Sequence, residues 1–79
     1  MNQAEVIERL QEIFDKVFME EIVVTSDLTA NDVAEWNSLS HVSLVLAVER
    51  DFGIRFAVGE VEATKSVGEF ANLIVKRTK

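Results

Sequence analysis

Apolar residues recur at steps of three and four in the first part of this chain, and that spacing restricts the fold more than any other feature. Val6, Ile7, Leu10, Ile13, Phe14, Val17 and Phe18 are interleaved with Glu5, Glu8, Arg9, Gln11, Glu12, Asp15 and Lys16. At about 100° per residue the apolar set forms one stripe, which predicts an amphipathic helix from about Gln3 to Glu20. A second apolar-rich block begins at Asn37-Ser38, both good N-cap types, and stops at Gly53. A third opens on Ser66-Val67-Gly68-Glu69, a Ser-x-x-Glu capping signature, and runs into Lys76, Arg77 and Lys79, whose charges suit a helix C-terminus. Ile22 to Val24 is a β-branched run with no second strand to pair with, so it reads as the start of a long loop. The expected fold is all-α: a small four-helix bundle of three main helices plus a short third helix near Phe56, Val58 and Val61, with a long loop between helices 1 and 2.

That loop, Thr25 to Asn37, is rich in Thr, Ser, Asp and Asn, whose side chains compete with helical hydrogen bonds, while Leu28, Val33 and Trp36 pin it down. One turn of helix is expected near Ala30 to Ala34. Long loops of this kind are usually functional. In the second block, Leu44, Val45, Val48 and Phe52 share one arc and Leu39, Val42 and Leu46 fall on another beside it. Leu44, Val48 and Phe52 are expected to bury against Ile7, Leu10, Phe14, Phe70 and Ile74. The second stripe must then be covered by the loop, with Trp36 lying over it, or serve as a docking surface with Glu49 and Arg50 at its rim.

Composition narrows the functional classes. A chain of 79 residues, 48% hydrophobic and 28% charged, supports one domain spanning 1–79 with a modest core. It contains no cysteine, so packing alone must hold it. The net charge of −6, from 14 acidic and 8 basic residues, disfavours nucleic acid and anionic membranes as partners. No apolar segment approaches the roughly 20 residues of a membrane span, and no leader-like start is visible. A soluble, cytoplasmic, complete and monomeric protein is expected.

Little in the sequence supports intrinsic catalysis. The one histidine, His41, has no carboxylate at ligand spacing on its helix, so no metal site is expected. Ser38 and His41 lie one turn apart without an orienting acid, and no phosphate-cradling glycine loop exists. His41 is expected to be packed or partly exposed. What stands out is Ser38, at the mouth of a helix, after a long anchored loop and before an unusually apolar helix.

The run Trp36-Asn37-Ser38-Leu39-Ser40-His41-Val42-Ser43-Leu44-Val45-Leu46-Ala47-Val48-Glu49-Arg50-Asp51-Phe52-Gly53-Ile54-Arg55-Phe56 closely resembles the region around the modified serine of acyl carrier proteins. In that family an Asp-Ser-Leu pattern leads an apolar-rich helix that ends in acidic residues, Phe-Gly and an aliphatic residue. The order of the remaining elements matches as well, so the resemblance covers nearly the whole chain. It implies that Ser38 receives 4′-phosphopantetheine from coenzyme A through a phosphopantetheinyl transferase. Acyl groups then ride on the terminal thiol as thioesters, presented to acyl-activating or acyl-transferring enzymes and synthases of fatty acid, polyketide or related biosynthesis. Asn37, Leu39, Val42, Leu46 and Glu49 become the docking residues, and no residue of the chain is catalytic. Two positions depart from the pattern: Asn37 replaces the usual aspartate, and Arg50 falls where acids are common.

Three other readings remain on the sequence alone. An aminoacyl or peptidyl carrier shares the fold and the serine. An unmodified interaction module would use Ser38 only as a cap and the Leu39-Val42-Leu46 stripe for a fixed partner. An enzyme would use Ser38 and His41.

Overall fold

The computed structural model describes residues 2–57 and 59–78. Three α-helices follow in order, α1 (Gln3–Val17), α2 (Ser38–Phe52) and α3 (Val67–Arg77), with a 3-10 turn at Ala30–Asp32 between α1 and α2. No β-strand is present among the described residues. The fold is all-helical, and α1 is its axis: it packs against both α2 and α3.

Each helix starts where a side chain satisfies its orphan N–H groups. Asn2 caps α1 with a reciprocal bond to Glu5. Ser66 accepts from Glu69 N–H at the head of α3, but the Glu69 carboxylate reaches one residue further back and accepts from Lys65 N–H. Gly53 closes α2 in the left-handed region (φ 67), where a side chain would be strained. α1 ends at Val17 rather than Glu20. Phe18 leaves the helix with an extended backbone and turns inward, its ring 5.3 Å from Phe14 and 5.9 Å from Trp36.

The core gathers Val6, Leu10, Ile13 and Phe14 from α1, Leu44 and Val48 from α2, and Val67, Phe70, Ala71 and Ile74 from α3. Phe52 and Ile7, expected inside, are half-buried. The Arg9 guanidinium lies 4.3 Å from the centre of the Phe52 ring and pairs with Asp51 at 2.7 Å, so α1 covers the end of α2 with a cation instead of an apolar side chain.

After Phe18 the chain runs extended, with Ile22 and Val24 buried and Val23 exposed between them. Gln11 stands in for the missing strand partner: its amide donates to Ile22 C=O at 2.7 Å and accepts from Val24 N–H at 2.9 Å. Further on, Val67 N–H donates to Leu28 C=O and Gly68 N–H to Ser26 C=O, at 2.8 and 2.9 Å. The loop backbone thereby caps α3. The approach is so close that a Cβ on Gly68 would sit 2.9 Å from Ser26 O.

Among the described residues, the short helix expected near Phe56, Val58 and Val61 does not form. Residues 59–63 form hydrogen-bonded turns, through Ala63 N–H to Gly59 C=O and Thr64 N–H to Val61 C=O, and Val58 lies outside the described residues. Gly59 at φ 81 breaks right-handed helical geometry at the start of this segment.

Candidate functional site: an uncommitted serine beside a groove

The head of α2 is organised by Asn37 and Ser40. Asn37 Oδ1 accepts from the N–H groups of Leu39 and Ser40 at 3.0 and 3.1 Å. Ser40 Oγ accepts from Asn37 N–H at 2.8 Å and donates to Glu35 C=O at 2.6 Å. This reciprocal cap leaves the preceding serine with no structural duty, because Ser38 is the first helical residue and not the cap. It is exposed, at the positive end of the helix dipole.

Beside Ser38 lies a groove of about 540 Å³. Its apolar walls are Leu28, Trp36, Val42, Val61 and Phe70, and Glu62 and Lys65 add charge at its edge. The 26–30 segment is held there by its backbone bonds to Val67 and Gly68, and Phe70 is positioned by the ring of Phe56, 5.8 Å away. Trp36 forms the inner wall. It meets Phe14 edge-on at 5.4 Å and stacks on the His41 imidazole at 6.3 Å.

His41 is half-buried, as expected, and committed to the wall. Its Nδ1 accepts from Trp36 Nε1–H at 3.1 Å. Its Nε2 is buried without a hydrogen-bond partner, 3.5 Å from a Glu62 carboxylate oxygen. That separation exceeds a hydrogen bond. Neither ring nitrogen bonds Ser38, so the geometry of a nucleophile–base pair is missing. Among the described residues no group of three or more His, Cys, Asp or Glu side chains could hold a metal ion.

Next to Ser38 runs the apolar stripe, which shares Val42 with the groove wall. Leu39 is 82% exposed, Val42 56% and Leu46 57%. The loop does not cover them, because Trp36 faces the core. Asn37 is exposed next to the stripe but engaged as the cap. Glu49, expected at its rim, is half-buried, with its carboxylate accepting Phe56 N–H at 2.9 Å and so bracing the chain beyond Gly53.

The groove itself was not legible from spacing. Leu28, Val61, Glu62, Lys65 and Phe70 come from three separate segments and share no periodicity with α2. The only signal was indirect: a long polar loop pinned by Leu28 and Trp36.

An exposed serine hydroxyl at a helix mouth, flanked by a groove and an exposed apolar stripe that meet at Val42, has the design of a carrier. Known proteins agree. The chain is 32% identical over 78 residues to an acyl carrier protein of Petrotoga mobilis, covering 98% of this chain and 92% of that protein. It also matches the solution NMR structure of a holo acyl carrier protein from Geobacter metallireducens, with a TM-score of 0.84 and 40% identity over 91% of this chain and 84% of that one. No protein-family profile matches the sequence. The chain belongs to the acyl carrier protein family.

Proposed function

We propose that this chain carries acyl intermediates as thioesters on a 4′-phosphopantetheine arm joined to Ser38 and presents them to successive enzymes of fatty acid, polyketide or related biosynthesis. The observation that carries the reading is the division of labour at the head of α2. Asn37 and Ser40 cap the helix, which leaves Ser38 Oγ exposed and available as the attachment point.

The surroundings suit such an arm. A phosphodiester on Ser38 would stand at the positive end of α2, with Lys65 in the wall of the adjoining groove. The arm supplies the thiol that a chain without cysteine lacks. The groove offers apolar cover for cargo, and the Leu39-Val42-Leu46 stripe offers the surface against which a phosphopantetheinyl transferase and acyl-handling enzymes dock. No chemistry is asked of His41, whose Nδ1 is already occupied by Trp36. The protein acts as one domain in the cytoplasm, as a carrier and not a catalyst.

Loading tests this directly. After modification and incubation with an acyl-activating enzyme and its acid, the wild type should hold acyl groups that hydroxylamine releases, as a thioester requires, and Ser38→Ala should hold none. Equal loading of both proteins would move the attachment point away from Ser38 and overturn the assignment.

A further inference from the structure

His41 Nε2 is the one buried side-chain polar atom that lacks a hydrogen-bond partner among the described residues. Such an atom gives up its hydration uncompensated, a cost that a ligand bearing the missing partner removes. Its chemical character is fixed from the other side of the ring. Nδ1 accepts from Trp36 Nε1–H at 3.1 Å, so the neutral imidazole holds its hydrogen on Nε2, as a donor. Trp36 is itself wedged against Phe14 and Phe18, with ring centres 5.4 and 5.9 Å away, which keeps the indole N–H aimed at His41.

This donor belongs to the groove wall. His41 and Glu62 both line the groove, and Nε2 lies on the Glu62 side, 3.5 Å from a carboxylate oxygen. The Glu62 side chain is 62% exposed and can swing aside to uncover it. Ser38 and His41 are three residues apart on one helix, which places their Cβ atoms on one face about 5 to 6 Å apart. Close to Ser38 the groove therefore offers a buried N–H without an acceptor, a cation at Lys65 and apolar walls at Trp36, Val42 and Val61.

We infer that His41 is a positioning residue for the prosthetic arm: its Nε2–H donates to the arm's first amide carbonyl and lays the near half of the arm along the groove. The inference rests on the carrier reading. The match is chemical. Counting from Ser38 Oγ, phosphopantetheine presents a phosphate, a carbon bearing two methyl groups, a hydroxyl-bearing carbon and then that amide, with the second amide and the thiol beyond. Lys65 suits the phosphate and the apolar walls suit the methyl groups. A carbonyl, which has no hydrogen of its own to satisfy, suits a donor without an acceptor. A phosphodiester at the groove mouth also repels the Glu62 carboxylate, which favours the swing that uncovers Nε2. The thiol and any acyl group lie past this stretch, so His41 orients the arm and does not select cargo.

Nuclear magnetic resonance tests this on the intact chain, before and after modification of Ser38 with coenzyme A labelled with carbon-13 at that carbonyl, the modification being followed by mass. In the modified wild type, exchange of the His41 imidazole N–H with water should slow by about two- to tenfold, as a new hydrogen bond of ordinary strength requires. The carbonyl resonance should move downfield of its position in free coenzyme A. His41→Phe should return it to the free position, and His41→Gln, which supplies an amide N–H, should keep part of the shift, each variant being checked for fold by circular dichroism. The wild-type readouts stand whether or not either variant folds. A modified wild type with the free carbonyl position and unchanged imidazole exchange overturns the inference and leaves the carrier reading intact, and a shift that persists in His41→Phe overturns it as well. A response that appears only once an acyl group is loaded overturns it in favour of a cargo contact. No gain of mass overturns both the inference and the carrier reading.

Discussion

Replacing Gly68 with alanine should destabilise this protein, although general helix propensity points the other way. Gly68 lies in the first turn of α3, where alanine would ordinarily gain up to about 1 kcal/mol. Here its Cβ would stand 2.9 Å from Ser26 O and 3.1 Å from Ser26 Cβ, both on or next to the loop backbone. Carbon contacts prefer about 3.5 to 4.0 Å, so the loop must move by several tenths of an ångström. The atom that must retreat is also the acceptor for Gly68 N–H, at 2.9 Å. Overpacking costs about 1 to 3 kcal/mol and the weakened hydrogen bond about 1 more, so the net loss after the propensity gain is about 1 to 3 kcal/mol. For a domain of this size that lowers the melting temperature by roughly 5 to 20 °C. Thermal and urea unfolding followed by far-UV circular dichroism measure it. Gly53→Ala is the comparison: nothing lies within 4 Å of its Cβ, so only the left-handed backbone (φ 67) is penalised, at about 1 kcal/mol. A Gly68→Ala protein as stable as the wild type would refute the claim that α3 is docked on the Ser26 carbonyl.

The two faces of α2 should respond differently to truncation. Leu44→Ala, at a fully buried site, should cost about 2 to 5 kcal/mol, and Leu46→Ala, 57% exposed, less than about 0.5, both read from urea midpoints. Gln11→Ala removes both hydrogen bonds to the extended segment and leaves Ile22 C=O and Val24 N–H without partners, so a loss of about 1 to 3 kcal/mol is expected, with early amide exchange at Val24. The Glu60 carboxyl is held below its ordinary value of 4.5, first by its hydrogen bond from Arg77, then by the N–H of Ala57 and the nearby positive charges. A depressed folded value means that the contribution is complete above the unfolded value and fades as pH falls through about 4.5 and below. Glu60→Gln should therefore lower stability at neutral pH and converge on the wild type in acid, flattening the acid limb of the stability curve; an unaltered acid limb would dismiss the pairing with Arg77.

Helix positions were readable because their signals are local. The three-and-four spacing of α1, the Asn37 and Gly53 boundaries of α2 and the Ser66 start of α3 each depend on residues within a turn or two of one another. Ser38 was readable as the candidate attachment point, but its release from capping was not. Asn37 and Ser38 are equally good cap types, and only the geometry assigns the duty to Asn37 with Ser40 as its partner. What escaped depends on contacts distant in sequence. The Gln11 amide, which acts as a strand edge, lies 11 and 13 residues from its partners. The inward turn of Trp36, which uncovers the α2 stripe, follows from its contacts with Phe14, Phe18 and His41. Phe52 fits the core arc by angle alone but is half-buried because Arg9 reaches across from α1. The turns at 59–63 replace the expected short helix because Gly59 adopts positive φ there.

The measurement that tests the central claim most directly is the intact mass of the pure protein after incubation with coenzyme A, magnesium and a broad-specificity phosphopantetheinyl transferase, with Ser38→Ala treated alongside and a family member of known competence as the positive control. A gain of one phosphopantetheine unit on the wild type, and none on Ser38→Ala, is the predicted result. A wild type that keeps its unmodified mass while the control is converted would contradict the account, and the exposed hydroxyl at the head of α2 would then require another explanation.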